Sequence, residues 1–471
     1  MQPYKNLIPL ALVILLLISV SASYANTVQI LSADWSFSIL NDPSYPISQN
    51  ALDTVGQVAY FGSVNTQPGS PDNFLYAVNI TNGQELWFYN TSLPVSYVSQ
   101  FQYNTTDEGI VVGLGNPSNL VITSGRVLAF SGPQSNATLW ESMIFTSAVL
   151  SLGSASGNNP NTEDIVAGLM NGSIIRLSGT NGTFEWQYNG VGPVSAPLYD
   201  IFQLEPNKGS VIVGTRNYGV AEAGHIYCLE KNGTLRWSYN STAGNPFSLA
   251  RKFYDVKGDG VPDVVAVFSD DLIYVLDGDS SGTGKVIPPW PFNATVLIND
   301  LICTQDYTGD GIPDIVAAVN DSIMIINGAN ASVFKGPTRI SSLTVSDIQY
   351  MYFYQNGMTY LNTTLAANCE DYSSQTGITY YIRGINATGS SLSIMKNYSN
   401  PSKPLNLYPI PTSSNSFTGD LLFTIGNTVY DVQGTGIVVP EFASNFLLVT
   451  LMISIWVLIL IVKRRGLNAR H

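Results

Sequence analysis

Six tryptophans divide the chain at nearly equal intervals. Trp35, Trp87, Trp140, Trp186, Trp237 and Trp290 are separated by 52, 53, 46, 51 and 53 residues. So large a side chain recurring at one spacing implies a repeated structural unit in which each copy needs an indole at the same place. The flanking residues repeat too. Leu75-Tyr76-Ala77-Val78 leads through Thr81-Asn82-Gly83 to Trp87, Ile174-Ile175-Arg176-Leu177 through Thr180-Asn181-Gly182 to Trp186, and Ile226-Tyr227-Cys228-Leu229 through Lys231-Asn232-Gly233 to Trp237. Asn-Gly between two apolar runs predicts a hairpin with a type I′ turn, because both central residues of that turn need positive φ. Further short apolar strands lie upstream of the hairpins, at Ile110 to Val112, Ile165 to Ala167, Val211 to Val213, Val264 to Val267 and Ile315 to Val319. Three or four strands per repeat, with no amphipathic helical periodicity, exclude a helical solenoid and predict an all-β propeller.

The stretch from Trp35 to Val432 holds 7.8 repeats of the mean length, which predicts eight blades, with seven as the alternative. Two blades lack the tryptophan, and their outer strands are expected near Val333-Phe334 and Leu392-Ser393-Ile394. The strands from Leu421 to Val432 are expected to pair with Trp35 to Ile39 and close the ring, since closure removes exposed sheet edges. Pro401 to Phe417 reads as a Pro/Ser-rich loop within the ring.

Both ends of the chain carry export signals. Lys5, the apolar run Leu7 to Val20 and the small residues Ser23 and Ala25 predict a signal peptide over residues 1–25. Residues 26–433 then form the propeller ectodomain and 434–445 a short linker. Phe446 to Val462 is uncharged and is followed at once by Lys463, Arg464 and Arg465, which predicts a single transmembrane helix over 446–462 and a cytoplasmic tail over 463–471. The ectodomain retains 15 basic residues against 33 acidic ones, a balance near −18. Such a surface disfavours nucleic acid and attracts cations. Fourteen Asn-x-Ser/Thr sequons, several in the blade turns, predict a surface glycoprotein.

The strand, Asn-Gly turn and Leu/Glu-x-Trp pattern resembles the quinoprotein-type (PQQ-like) propeller repeat, in which the tryptophan wedges between neighbouring blades. Two blades also carry loops, Asp255-Val256-Lys257-Gly258-Asp259-Gly260-Val261-Pro262-Asp263 and Asp306-Tyr307-Thr308-Gly309-Asp310-Gly311-Ile312-Pro313-Asp314, that resemble the FG-GAP loops of integrin-like propellers. Val439-Pro440-Glu441-Phe442 before the span resembles the PEF-type sorting tail of archaeal surface proteins, which implies that the helix is removed and exchanged for a lipid anchor; the alternative is a plain single-pass anchor.

Carboxylates at loop positions 1, 5 and 9, glycines that permit a sharp turn and a carbonyl at position 7 form an oxygen-only donor set suited to Ca²⁺. The expected structural calcium ligands are Asp306, Thr308, Asp310, Asp314 and the Ile312 carbonyl in one loop. In the other they are Asp255, Asp259, Asp263 and the Val261 carbonyl. Lys257 stands where the first loop should have an oxygen ligand and weakens it, because an ammonium repels a cation.

Little points to catalysis. The resemblance to quinoproteins implies a pair of adjacent cysteines near the quinone, yet Cys228, Cys303 and Cys369 lie far apart, so no PQQ is expected. His225 is the one ectodomain histidine and precedes a strand, where a surface or capping role is expected. The expectation is a membrane-anchored, single-pass cell-surface propeller, stabilised by calcium and working as a non-catalytic binding or scaffold module for an extracellular protein or glycan. The alternative is a degenerate quinoprotein-like or carbohydrate-processing enzyme at the central channel. An enzyme should gather three or more carboxylates and cations around one cavity at the channel mouth, whereas a binding module should offer a broad loop face.

Overall fold

A computed structural model of the 471-residue chain describes residues 29–30, 34–39 and 47–433, apart from short stretches within the last range. The expected signal peptide, linker, membrane span and tail lie outside the described residues. Among the described residues no helix is long and apolar enough to cross a membrane.

Eight sheets follow one another along the chain, antiparallel except where the two-residue strands Gln29–Ile30 and Gly282–Thr283 add in parallel to the outer edges of two of them. Blades 1 to 8 begin with the innermost strands Ile47–Val55, Val95–Gln102, Val149–Ser156, Leu198–Gln203, Phe247–Lys252, Ile298–Gln305, Thr344–Gln355 and Leu405–Ile410. Each innermost strand packs against those of the two adjacent blades, and blade 8 returns to blade 1. The eight-bladed reading of the repeat length therefore holds. In blades 1 to 7 the chain runs outward through four strands and then crosses to the centre of the next blade, so one face of the disc carries the inter-blade connections. The other carries the loops after the innermost strands together with the Asn-Gly turns.

The middle strands explain the apolar runs. Val58–Ser63, Val264–Phe268, Asp314–Val319 and Ser322–Ile326 are buried at every position. A blade is covered on both faces by its neighbours, so these strands are continuously apolar rather than alternating. The two outer strands without tryptophan fall at Val333–Arg339 and Ser393–Asn400, where they were expected. Trp35–Ser38 pairs antiparallel with Thr428–Gln433 through Trp35↔Asp431 and Ser38↔Thr428, so blade 8 is completed by the N-terminal strand.

The tryptophans act as wedges between blades. Trp35, Trp140, Trp186 and Trp237 each donate Nε1–H to a turn carbonyl of the next blade, at Ile80 (2.8 Å), Gly179 (2.8 Å), Lys231 (2.8 Å) and Gly278 (3.1 Å). The indoles lie against the turn glycines, where a Cβ on Gly83, Gly182 or Gly233 would come within 2.7, 2.4 or 2.7 Å of a ring atom. Trp290 departs from this pattern. It is buried but precedes the two-residue outer strand Phe292–Asn293, and its Nε1 has no partner among the described residues.

Two expectations need correction. The Asn-Gly hairpins are not type I′, because only the glycine has positive φ, at 69° for Gly83, 70° for Gly182 and 82° for Gly233. In blade 1 the loop is longer than two residues and is closed by Gly83 N–H to Asn79 O at 2.9 Å, which leaves the Ile80 carbonyl for Trp35. The asparagine serves an Asx turn instead, with the Asn82, Asn181 and Asn232 Oδ1 accepting the amide two residues on at 3.0, 3.1 and 3.0 Å. The second correction concerns the expected Pro/Ser-rich loop, which contains the innermost strand of blade 8, Leu405–Ile410. An innermost strand bonds to a sheet partner along one edge only, so Pro409 is tolerated there.

Candidate functional site

The two aspartate loops lie on the turn face, after the innermost strands of blades 5 and 6, and they are closed by their own hydrogen bonds. Asp255 accepts the N–H groups of Gly258 (2.7 Å), Asp259 (3.1 Å) and Gly260 (2.7 Å). Asp306 likewise accepts those of Gly309 (2.6 Å), Asp310 (3.3 Å) and Gly311 (2.8 Å), with the Gly311 amide chief among the groups that hold its carboxyl below the usual range. Asp263 and Asp314 are fully buried and accept the N–H of Gly278 and Gly328, both at 3.1 Å. Burial pushes Asp263 up to about 6 and also raises Asp314, with the amides acting in the opposite direction. Blade 3 makes the same bond, Gly179 N–H to Asp164 at 3.1 Å, without an Asp-x-x-Gly-Asp-Gly loop. The ninth-position aspartate thus has a structural task of its own. It holds the turn amide whose carbonyl, at Gly179 and Gly278, receives the preceding blade's tryptophan.

The centres of the two loops differ. In blade 5 the Lys257 ammonium bridges Asp259 (3.0 Å) and Asp277 (2.8 Å). Burial works against the Asp259 charge, but Lys257 outweighs it and lowers the carboxyl. In blade 6 the matching places hold Thr308 and Asn327, whose Nδ2 donates to Asp310 at 2.6 Å and to the Thr308 hydroxyl at 3.0 Å. Among the described residues no group of three or more His, Cys, Asp or Glu side chains is gathered to hold a metal ion. The blade 5 loop does not suit calcium, because a cation of the chain already occupies its centre. The donor chemistry of the blade 6 loop, all oxygen and without a cation, does suit it. Asp306, Thr308, Asp310, Asp314 and the Ile312 carbonyl would be the ligands, and the ion would neutralise the carboxylates.

A second cluster lies on the opposite face. Six innermost strands shift register near their start, between Val95 and Tyr97, Val149 and Ser151, Leu198 and Asp200, Phe247 and Leu249, Ile298 and Asp300, and Val345 and Asp347. A bulge re-aims the residue that follows it. Tyr97, Asp200, Leu249, Asp300 and Asp347 accordingly line one cavity of about 560 Å³ at the mouth of the central channel, together with Arg251, Asn368 and residues from blade 8. Arg251 lies between two carboxylates, 3.4 Å from Asp200 and 3.3 Å from Asp300.

These aspartates also join blades. Asp53, Asp200 and Asp300 accept the backbone N–H of Gln100 (2.8 Å), Ala250 (2.8 Å) and Ile348 (3.0 Å) on the innermost strand of the following blade. Those amides face the channel edge of a strand, where no sheet partner exists, so a side chain must satisfy them. Enclosure by the ring raises the Asp53 and Asp200 carboxyls, although Arg251 opposes the shift at Asp200. Asp347 is raised well above the usual range by burial and then by the charge and hydrogen bond of Asp300 beside it. Burial disfavours the Arg251 charge, but Asp200 and Asp300 more than compensate and keep it protonated.

Sequence reasoning missed this cluster. Its signal was present in Tyr199-Asp200-Ile201, Asn299-Asp300-Leu301 and Ser346-Asp347-Ile348, three copies of one pattern at the start of a blade. The cysteines stay apart and unbridged, and burial pushes their thiols up to about 12, so they offer no thiolate at neutral pH. His225 begins its strand with Nδ1 2.6 Å from Asn240 Oδ1, away from the cavity lining.

The family described as FG-GAP-like repeat matches residues 255–317, the stretch that holds both aspartate loops. No curated protein is significantly similar to the chain. Among solved structures the chain is similar to Sqt1 from Saccharomyces cerevisiae, with 10% identity over 87% of this chain and 100% of that one and a TM-score of 0.58. It is similar to Sqt1 from Chaetomium thermophilum bound to the N-terminus of the ribosomal protein L10, with 13% identity over 85% and 99% and a TM-score of 0.56. It is also similar to BamB from Moraxella catarrhalis, with 12% identity over 86% and 97% and a TM-score of 0.50. At these identities the likeness concerns the propeller fold.

Proposed function

We propose that the chain is a membrane-anchored cell-surface propeller that binds or scaffolds an extracellular protein or glycan without transforming it, with calcium stabilising the blade 6 loop. The observation that carries this reading is how the channel-mouth carboxylates are engaged. Asp200 and Asp300 each have one oxygen on a neighbouring strand's amide and the other toward Arg251. Groups held in this way give a rigid polar surface, suited to recognition by a fold that presents loops around a channel. The Sqt1 propeller solved with a ribosomal protein's N-terminus shows that this fold can hold a partner segment.

One observation favours the enzymatic alternative. Three carboxylates and a guanidinium do meet around one cavity, and Asp347 is a carboxyl raised well above its usual range by burial and by Asp300 beside it. Environments that separate the proton affinities of two acids are the arrangement used for acid and base roles in glycoside cleavage. The two readings part on turnover. Purified residues 26–442, incubated separately with cell-envelope polysaccharide and envelope protein, should retain one fraction and release it unchanged in mass. Shortened polysaccharide, with release of reducing ends that Asp347→Asn abolishes, would establish the enzyme instead.

A further inference from the structure

The channel-mouth cavity has features that narrow its ligand. Its volume of about 560 Å³ is within the range of small-molecule sites. Its lining mixes four amide side chains, three carboxylates and three hydroxyl groups with the apolar surfaces of Leu249, Pro404, Leu405 and Leu407. Within that lining Asn368 is 2% exposed, and its Nδ2 donates to the Pro404 carbonyl at 2.7 Å. Its Oδ1 is a buried acceptor with no partner among the described residues. A buried acceptor left unpaired costs on the order of 1–3 kcal/mol, which a donor brought by a ligand would recover.

Charge removes one ligand class. Arg251 is shared by Asp200 and Asp300, and Lys403 at the rim is paired with Glu370 at 2.8 Å. Burial and the neighbouring Asp300 raise the Asp347 carboxyl. Both cations of the lining are thus matched by carboxylates and leave no free positive charge for an anion, while the carboxylates and amides offer acceptors and donors on several sides with apolar patches between them. A ring bearing hydroxyls at its edge and C–H groups on its faces matches both parts of that lining. We propose that the channel mouth binds a short, uncharged saccharide, with Asn368 Oδ1 accepting one of its hydroxyls. This inference rests on the binding reading above and names its ligand class and site.

Calorimetric titration of residues 26–442 tests it, using maltotriose, cellotriose, chitotriose and mannotriose as neutral probes, with digalacturonate and spermidine as charged ones. The expected result is saturable binding of a neutral probe and none of the charged pair. Asn368→Leu should weaken that binding by about tenfold or more, the effect of losing one buried hydrogen bond. Asp347→Asn, which keeps the size and polarity of the side chain, should change affinity by less than about threefold. If Asn368→Leu fails to fold, Gln349→Ala at the same lining is held to the tenfold criterion. Binding of only a charged probe, or of none, overturns the proposal, as does neutral binding that neither lining variant affects. An ectodomain that retains envelope protein but no saccharide overturns this inference and leaves the binding reading standing. A saccharide that binds at the cavity and is cleaved overturns the non-catalytic reading and keeps the site.

Discussion

At the scale of single residues, a tryptophan in this chain does two jobs, and the structure separates them. Trp237 is fully buried and donates to the Gly278 carbonyl at 3.1 Å, whereas Trp290 is buried with an Nε1 that has no partner among the described residues. Trp237→Phe loses indole volume and also leaves a turn carbonyl unpaired, for a destabilisation of about 2–3 kcal/mol. Trp290→Phe loses volume alone and should cost about half as much. Urea denaturation of both variants checks the difference, and equal losses would mean that the Nε1 bond does not contribute. The Gly278 peptide that Trp237 reaches is held from its other side by Asp263, and a Cβ there would lie 2.0 Å from the Pro262 carbonyl. The repeating tryptophan could be read from the sequence because it is rare and bulky. Its acceptor could not, because a backbone carbonyl leaves no mark in the residue order.

At the scale of elements, the two aspartate loops show how far a motif carries. Their shape was legible, since Asp, Gly and Pro at fixed offsets dictate a turn. The state of their centres was legible only in part. Lys257 was recognised as a poor ligand, but its partner Asp277 belongs to another turn of the blade, twenty positions away, and only folding brings them to 2.8 Å. A built-in cation should make the blade 5 loop indifferent to calcium, while the neutral Thr308 and Asn327 leave the blade 6 loop able to respond. Thermal melting of residues 26–442 should show a higher midpoint in calcium than in chelator, equivalent to about 2.7 kcal/mol with calcium at ~100 times its Kd. Asp310→Ala should abolish that difference and Asp259→Ala should preserve it. Identical midpoints for the wild-type protein in calcium and chelator would remove calcium from the proposed function. The Asn-Gly turns teach the same lesson at closer range. The dipeptide announced a hairpin correctly, but the turn's length and the asparagine's conformation followed from the need to present a carbonyl to the next blade.

At the scale of the whole molecule, stability depends on a strand from one end of the chain completing the blade formed by the other. Removing residues 26–38 takes away the outer strand of blade 8 together with the short strand Gln29–Ile30 on the edge of blade 7, and exposes the edges of Thr428–Gln433 and Ser393–Asn400. An open edge is a template for pairing with another chain. The truncated ectodomain should therefore melt earlier and elute as oligomers in size-exclusion chromatography, and an unchanged melting point and elution volume would show that the ring does not rely on this closure. The repeat length, the all-β class, the blade count and this closure followed from the sequence, because they rest on periodicities and turn signals that each segment carries within itself. The channel mouth did not. Asp200, Arg251, Asp300 and Asp347 come from four different blades, and a bulge in the innermost strand turns the aspartates toward a common axis. Neither their meeting nor their shared charge balance has a local signature, because both are set by distances between residues far apart in the chain, and only the closed ring defines those distances.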